Sequence, residues 1–231
     1  MKLTTYDIAR MIDISCVRSY NTREDIEQMA RAAMEYSFIC AHVLPSNIPY
    51  LKELLAGNTE VLAGCPVGFP SGGSETKTKI QEMKNCVALG CDEIDVVINV
   101  GWMRSGLYKQ VEEDVRAVIG ASGDTPVKLL LEVSQLNDEQ ISRGAEIAMR
   151  VGAGFVKTGT GWMDAPTTIH HIDVIKEVVG ERIGIKASGG IRGLATIVEM
   201  HKMGVTRFGV GYQASLDIIE ESKDYPGGIE L

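Results

Sequence analysis

No apolar run in this 231-residue chain approaches the roughly 18 residues that a membrane-crossing helix requires. The opening stretch, "MKLTTYDIARMID", lacks the apolar core of a secretory leader, so a cytoplasmic protein is expected. A basic excess is also missing. The 23 Lys and Arg face 31 Asp and Glu, a formal net charge of −8, which weighs against nucleic acid as a partner. Cysteine is scarce and scattered: Cys16, Cys40, Cys65, Cys86 and Cys91 are odd in number, and no pair has metal-site spacing. They read as free thiols in a reducing compartment. The four histidines offer no metal motif. His170 and His171 are adjacent within a helical pattern and so face apart, while His42 and His201 lie in other segments. No linker or low-complexity stretch divides the chain, so residues 1–231 read as one domain, with a loosely ordered tail from about 222.

What the chain does contain is alternation. Short β-branched or apolar runs predict strands at 10–15, 38–43, 59–67, 93–100, 127–133, 153–159, 182–188 and 207–211. Most read as apolar throughout, as parallel strands covered on both faces do. Helical patterns lie between them at 21–36, 75–90, 108–121, 137–152, 166–180 and 193–204, with shorter ones at 47–57 and 213–221. Thr22, three residues before Asp25, makes a helix start, and Gly90 stands where a helix end wants glycine. About eight strand–helix units with right-handed crossovers predict an α/β fold, a closed (β/α)8 barrel. An open doubly wound sheet would want a glycine-rich turn after its first strand, and "DISCVRSY" has none.

In such a barrel the chemistry sits at the C-terminal ends of the strands. That rule draws attention to Lys157 ending the sixth strand and Lys186 ending the seventh. Asp95 lies in the fourth, Glu132 ends the fifth, and Asp13 and Ser15 end the first. One strand-end lysine ordinarily snorkels at a rim. Two on neighbouring strands, about 5 Å apart, share one pocket. Mutual repulsion and burial both lower a lysine pKa. A lysine neutral near physiological pH adds to carbonyl groups. The turns "ASGGIR" and "GVGYQAS", after the seventh and eighth strands, offer backbone N–H groups to an anion.

Three stretches, "DEIDVVINVG" (92–101), "FVKTGTG" (155–161) and "IKASGGIR" (185–192), closely resemble the deoxyribose-phosphate aldolase family, Schiff-base aldolases built on a (β/α)8 barrel. The likeness runs over about residues 59–210. It implies that Lys157 forms the Schiff base, that Lys186 lowers its pKa, and that Asp95 relays protons. It implies that Gly189 and Gly190 hold the substrate phosphate through backbone N–H groups. Asp13 and Ser15 would line the region of the substrate hydroxyls, and Cys40 would lie close to the site. It implies no metal or organic cofactor, a small aldehyde or sugar phosphate as substrate, and a dimer or tetramer. Glu132, Thr160, Gly211 and Tyr212 complete the expected substrate-binding set.

The chain departs from the family pattern on the substrate side. Gly211 and Tyr212 stand where a pair of small hydroxyl residues is usual. The first strand reads "IDISCV", the loop after the second reads "AHVLPSN", and Val133 follows Glu132 where threonine is common. Two other readings stand beside 2-deoxyribose 5-phosphate cleavage. One is a related lysine aldolase acting on a different aldehyde or sugar, phosphorylated or not. The other is a non-catalytic barrel that binds a sugar phosphate.

Overall fold

In the computed structural model, which describes residues 2–231, eight parallel strands close on themselves. They are β1 (Ile12–Cys16), β2 (Cys40–Val43), β3 (Leu62–Val67), β4 (Glu93–Val97), β5 (Val127–Leu130), β6 (Phe155–Lys157), β7 (Gly184–Ser188) and β8 (Arg207–Gly211). The ladder β8 to β1, with Ile12 beside Phe208, completes the ring. Each falls within or overlaps a predicted run. Helices return the chain between strands, as the parallel connection requires. Among the described residues no helix is long and apolar enough to cross a membrane.

Local sequence explains the helix starts. Thr22 accepts a hydrogen bond from Asp25 N and Asp25 caps back, and the same reciprocal arrangement opens the helices at Asn137 and Thr168. The helix Arg23–Glu35 then buries Ile26, Met29, Ala30 and Ala33 on one stripe against the sheet.

The strands are not apolar throughout. Ile14, Ala41, Ile94, Leu129, Val156, Ile185 and Phe208 belong to the hydrophobic core shared with the helices. The residues beside them, Asp13, His42, Asp95, Lys128, Lys157, Lys186 and Arg207, are all buried and charged or polar. A period of two therefore separates an apolar outer face from a polar interior. Branched aliphatic residues usually fill that interior.

Predicted strands overran at their C-terminal ends because the chain there leaves the ladder to build loops. After β4, Asn99 caps a short helix, Val100–Arg104, that starts at the last residue of the run 93–100. After β5, Glu132 turns the backbone with φ 58°. The tail also differs from expectation. Ile229 and Glu230 pair antiparallel with Leu3 and Lys2. Ser222 donates to Thr5 Oγ1 at 3.0 Å. Ladder hydrogen bonds and the Lys2–Glu230 ion pair at 3.6 Å hold the tail in place. Tyr225 lies against the helix Leu194–Lys202, beside a cavity of about 290 Å³.

Candidate active site

A cavity of about 410 Å³ opens at the C-terminal ends of the strands. Asp95, Lys157 and Lys186 form its floor. Lys157 Nζ donates to Asp95 Oδ2 at 2.7 Å and Lys186 Nζ donates to the same oxygen at 2.8 Å. The two lysines are register partners on β6 and β7. Gly209, opposite on β8, leaves room for the Lys186 stem, since a Cβ there would lie 3.3 Å from Lys186 Cε and 2.8 Å from Ser188 Cβ.

The two ammonium groups have different surroundings. Burial, then the charge of Lys186, lowers Lys157 to about 8, against the pull of Asp95. Burial works on Lys186 too, but Asp13 at 2.5 Å and Asp95 outweigh it and hold its proton above the usual lysine range. For Asp95, burial favours the acid form, yet Lys157, Lys186 and Lys128 keep it well below the ordinary carboxylate range. Asp13 behaves likewise under Lys186, Lys128 and Arg207. Burial and Lys186 push His42 down to about 3, so its ring is neutral.

A second charged layer lies beneath. Arg207 Nε donates to Asp13 Oδ1 at 2.8 Å and Arg207 Nη2 to Glu93 Oε1 at 2.6 Å. Lys128 pairs with Glu93. Asp13, Cys40, His42 and Glu93 bring potential ligand atoms within 4.8 Å of one another. Their chemistry does not suit a metal ion, because each carboxylate is already matched to a buried cation that the metal would have to displace.

Loops after β6 and β7 form a fixed cradle at the other end. Gly189 and Gly190 take φ 88° and 83°, which glycine alone adopts freely. The Thr158 and Thr167 hydroxyls donate to Ser188 O at 2.7 and 2.6 Å, and Thr167 N donates to Gly189 O at 2.8 Å. Gly211 precedes the helix Tyr212–Ser222, whose N-terminal end reaches the cavity at Ala214. That end favours an anion. Arg18 and Arg192 also line this end, with Asp164 on the rim. Arg18 Nη2 donates to Gly161 O at 2.5 Å, and its guanidinium lies 5.8 Å from the Trp162 ring. The indole N–H donates to Val17 O at 3.2 Å, and the ring meets Phe69 edge-on.

Of the expected site residues, Asp13, Ser15, Asp95, Lys157, Thr160, Lys186, Gly189, Gly190 and Gly211 line this cavity. Three do not. Cys40 is sealed in the lower layer, where burial and Glu93 and Asp13 push its thiol well above the usual range. Glu132 lies behind the wall and accepts from Thr160 N at 3.1 Å and from the Thr160 hydroxyl, so it holds Thr160 in place. Tyr212 is half-buried against the hydrophobic core and does not line the cavity. Sequence reasoning missed Glu93, Lys128 and Arg207, although Lys128 interrupts an apolar strand run and Glu93 and Arg207 each open one. It also missed Arg18, which sits in an unpatterned loop.

Comparison with known proteins gives the family of the chain. The profile of the DeoC/LacD family aldolases matches residues 15–212. A deoxyribose-phosphate aldolase of Rhizobium meliloti is 42% identical over 226 residues, spanning 98% of this chain and 91% of the relative. One from Klebsiella pneumoniae is 42% identical over 228 residues, spanning 98% and 92%. Among solved structures, the tetrameric deoxyribose phosphate aldolase of Aeropyrum pernix superposes with a TM-score of 0.81 at 27% identity, covering 95% of this chain and 92% of its own.

Proposed function

The chain belongs to the DeoC/LacD family of aldolases, and on that premise we propose that it cleaves 2-deoxyribose 5-phosphate to glyceraldehyde 3-phosphate and acetaldehyde through a Schiff base on Lys157. One observation carries this reading: a buried lysine, lowered to about 8, shares a carboxylate oxygen with a second lysine on the next strand.

Neutral Lys157 adds its Nζ to the substrate aldehyde carbon, and the resulting carbinolamine loses water to give a protonated imine. The imine draws the electron pair of the C2–C3 bond as that bond breaks. The C3 hydroxyl gives up its proton and becomes the aldehyde of glyceraldehyde 3-phosphate. The enamine left on Lys157 takes a proton at C2, and water then releases acetaldehyde and the free amine. Asp95, within hydrogen-bond reach of both lysines, relays these protons. Lys186 stays charged and opposes a second positive charge at Lys157. The Gly189–Gly190 turn, the helix end at Gly211 and the two arginines hold the phosphate.

Arg18 and Arg192 favour a phosphorylated substrate over an unphosphorylated one, because two cations against the single carboxylate of Asp164 leave this end of the cavity with an excess of positive charge. The enzyme is further proposed to work in the cytoplasm, supported by five unpaired cysteines, and as a homo-oligomer, supported by the tetrameric Aeropyrum pernix relative. The test is borohydride reduction during turnover. It should leave a two-carbon adduct on the peptide carrying Lys157. A turning-over enzyme with no adduct there would refute the Schiff-base route.

A further inference from the structure

The barrel interior carries a countable charge. Three carboxylates, Asp13, Glu93 and Asp95, meet four basic side chains, Lys128, Lys157, Lys186 and Arg207, and all are buried. His42, pushed down to about 3, adds none. With every other group in its ionised form, the cluster balances only when Lys157 is neutral. Lys157 is also the least compensated of the four. It touches Asp95 alone, whereas Lys186 touches Asp13 and Asp95, Arg207 touches Asp13 and Glu93, and Lys128 lies within 4 Å of Asp13, Glu93 and Asp95.

We propose that Glu93 and Lys128 are positioning residues that set the proton count of Lys157 by fixing the net charge of the barrel interior. Neither lines the cavity, so neither touches substrate. Their influence passes through Asp95 and across a water-poor interior where charges a few ångströms apart interact strongly. This deepens the reading of Lys157 as the amine nucleophile and rests on it. Beside Asp95, the buried titratable groups of the interior are Asp13 from β1, Cys40 and His42 from β2, Glu93 from β4, Lys128 from β5, Lys186 from β7 and Arg207 from β8. Arg18, Glu132, Asp164 and Arg192 stand further out in the loops. The lower layer is thus part of the proton economy of the site as well as a structural filler.

The test uses substitutions of opposite sign. Removing an acid with Glu93→Gln makes a protonated Lys157 less favourable, and removing a cation with Lys128→Met makes it more favourable. The readout is the pH midpoint of borohydride-trapped acetaldehyde adduct on Lys157, measured by mass spectrometry. Glu93→Gln should move the midpoint down by about one unit, Lys128→Met should move it up by about one unit, and the double variant should return it close to the wild-type value. Glu93→Gln is nearly isosteric and carries the test alone if Lys128→Met fails to fold. Midpoints that stay put, or move the same way in both variants, overturn the proposal. A wild-type enzyme that traps no adduct overturns the Schiff-base reading beneath it, and the two failures are told apart by the wild-type control.

Discussion

Lys157 and Lys186 lie side by side on adjacent strands and donate to one and the same oxygen, Asp95 Oδ2. Identical side chains acquire opposite roles because Lys186 has a second carboxylate, Asp13, at 2.5 Å and Lys157 does not. The number of neighbouring acids decides which ammonium keeps its proton.

Activity should depend on pH through Lys157. With Lys157 lowered to about 8, the rate of adduct formation should climb as pH rises through that value. Lys186→Met removes a cation that disfavours the charged form of Lys157. The acid limb of kcat/KM should then move to higher pH by about one unit, with activity at pH 7 falling about tenfold or more. A pH–rate profile of the variant checks both the direction and the size.

Lys157 also has a cost in stability. Its folded value of about 8 lies below the ordinary 10.5, so the unfolded chain binds more protons between these values and the fold gains stability as pH rises from 8 to 10.5. At pH 7 the buried charge costs about 3 kcal/mol. Lys157→Met should therefore be inactive and yet more stable than the parent at pH 7, with the difference shrinking above pH 10. Denaturant unfolding at pH 7 and pH 10 measures this.

Recognition of the phosphate should depend on Arg18. Its guanidinium is held at the cavity rim by Gly161 O and beside the Trp162 indole. Arg18→Gln should reduce the preference for 2-deoxyribose 5-phosphate over 2-deoxyribose about tenfold while leaving turnover of the unphosphorylated sugar unchanged. Comparing kcat/KM for the two sugars tests it, and equal losses on both would exclude an anion-recognition role.

Gly190 should tolerate no side chain. Its φ of 83° already disfavours an L-residue, and an added Cβ would lie 2.5 Å from Pro166 Cβ. Gly190→Ala should distort the cradle and raise KM for the phosphorylated sugar at least about tenfold, with the Lys157 adduct from acetaldehyde still formed. Steady-state kinetics together with trapping separate the two effects.

Much of this architecture is readable before any coordinates. The eight strand positions follow from short apolar runs between amphipathic segments. Lys157, Lys186 and Asp95 are recognisable because charges at the ends of buried strands need a reason. What escaped was the direction each side chain takes. "EIDVV", "VKLLL" and "RFGVG" look like core strands with stray charges. Only ring closure turns Glu93, Lys128 and Arg207 inward to meet one another. The same blindness misplaced Tyr212, which packs against the core instead of lining the cavity. Glu132 was placed at the right depth, but its left-handed backbone turns it behind Thr160 instead of into the cavity. The tail misled for another reason. "SKDYPGGIEL" is short of apolar residues and carries turn-forming ones, and nothing local announces that two of its residues pair with the distant Lys2 and Leu3.

That terminal ribbon has a practical corollary. Its two strands tie Lys2–Leu3 to Ile229–Glu230, and none of these residues borders the reactive chamber. A label carried on this ribbon therefore sits clear of the opening through which small aldehydes reach the amine.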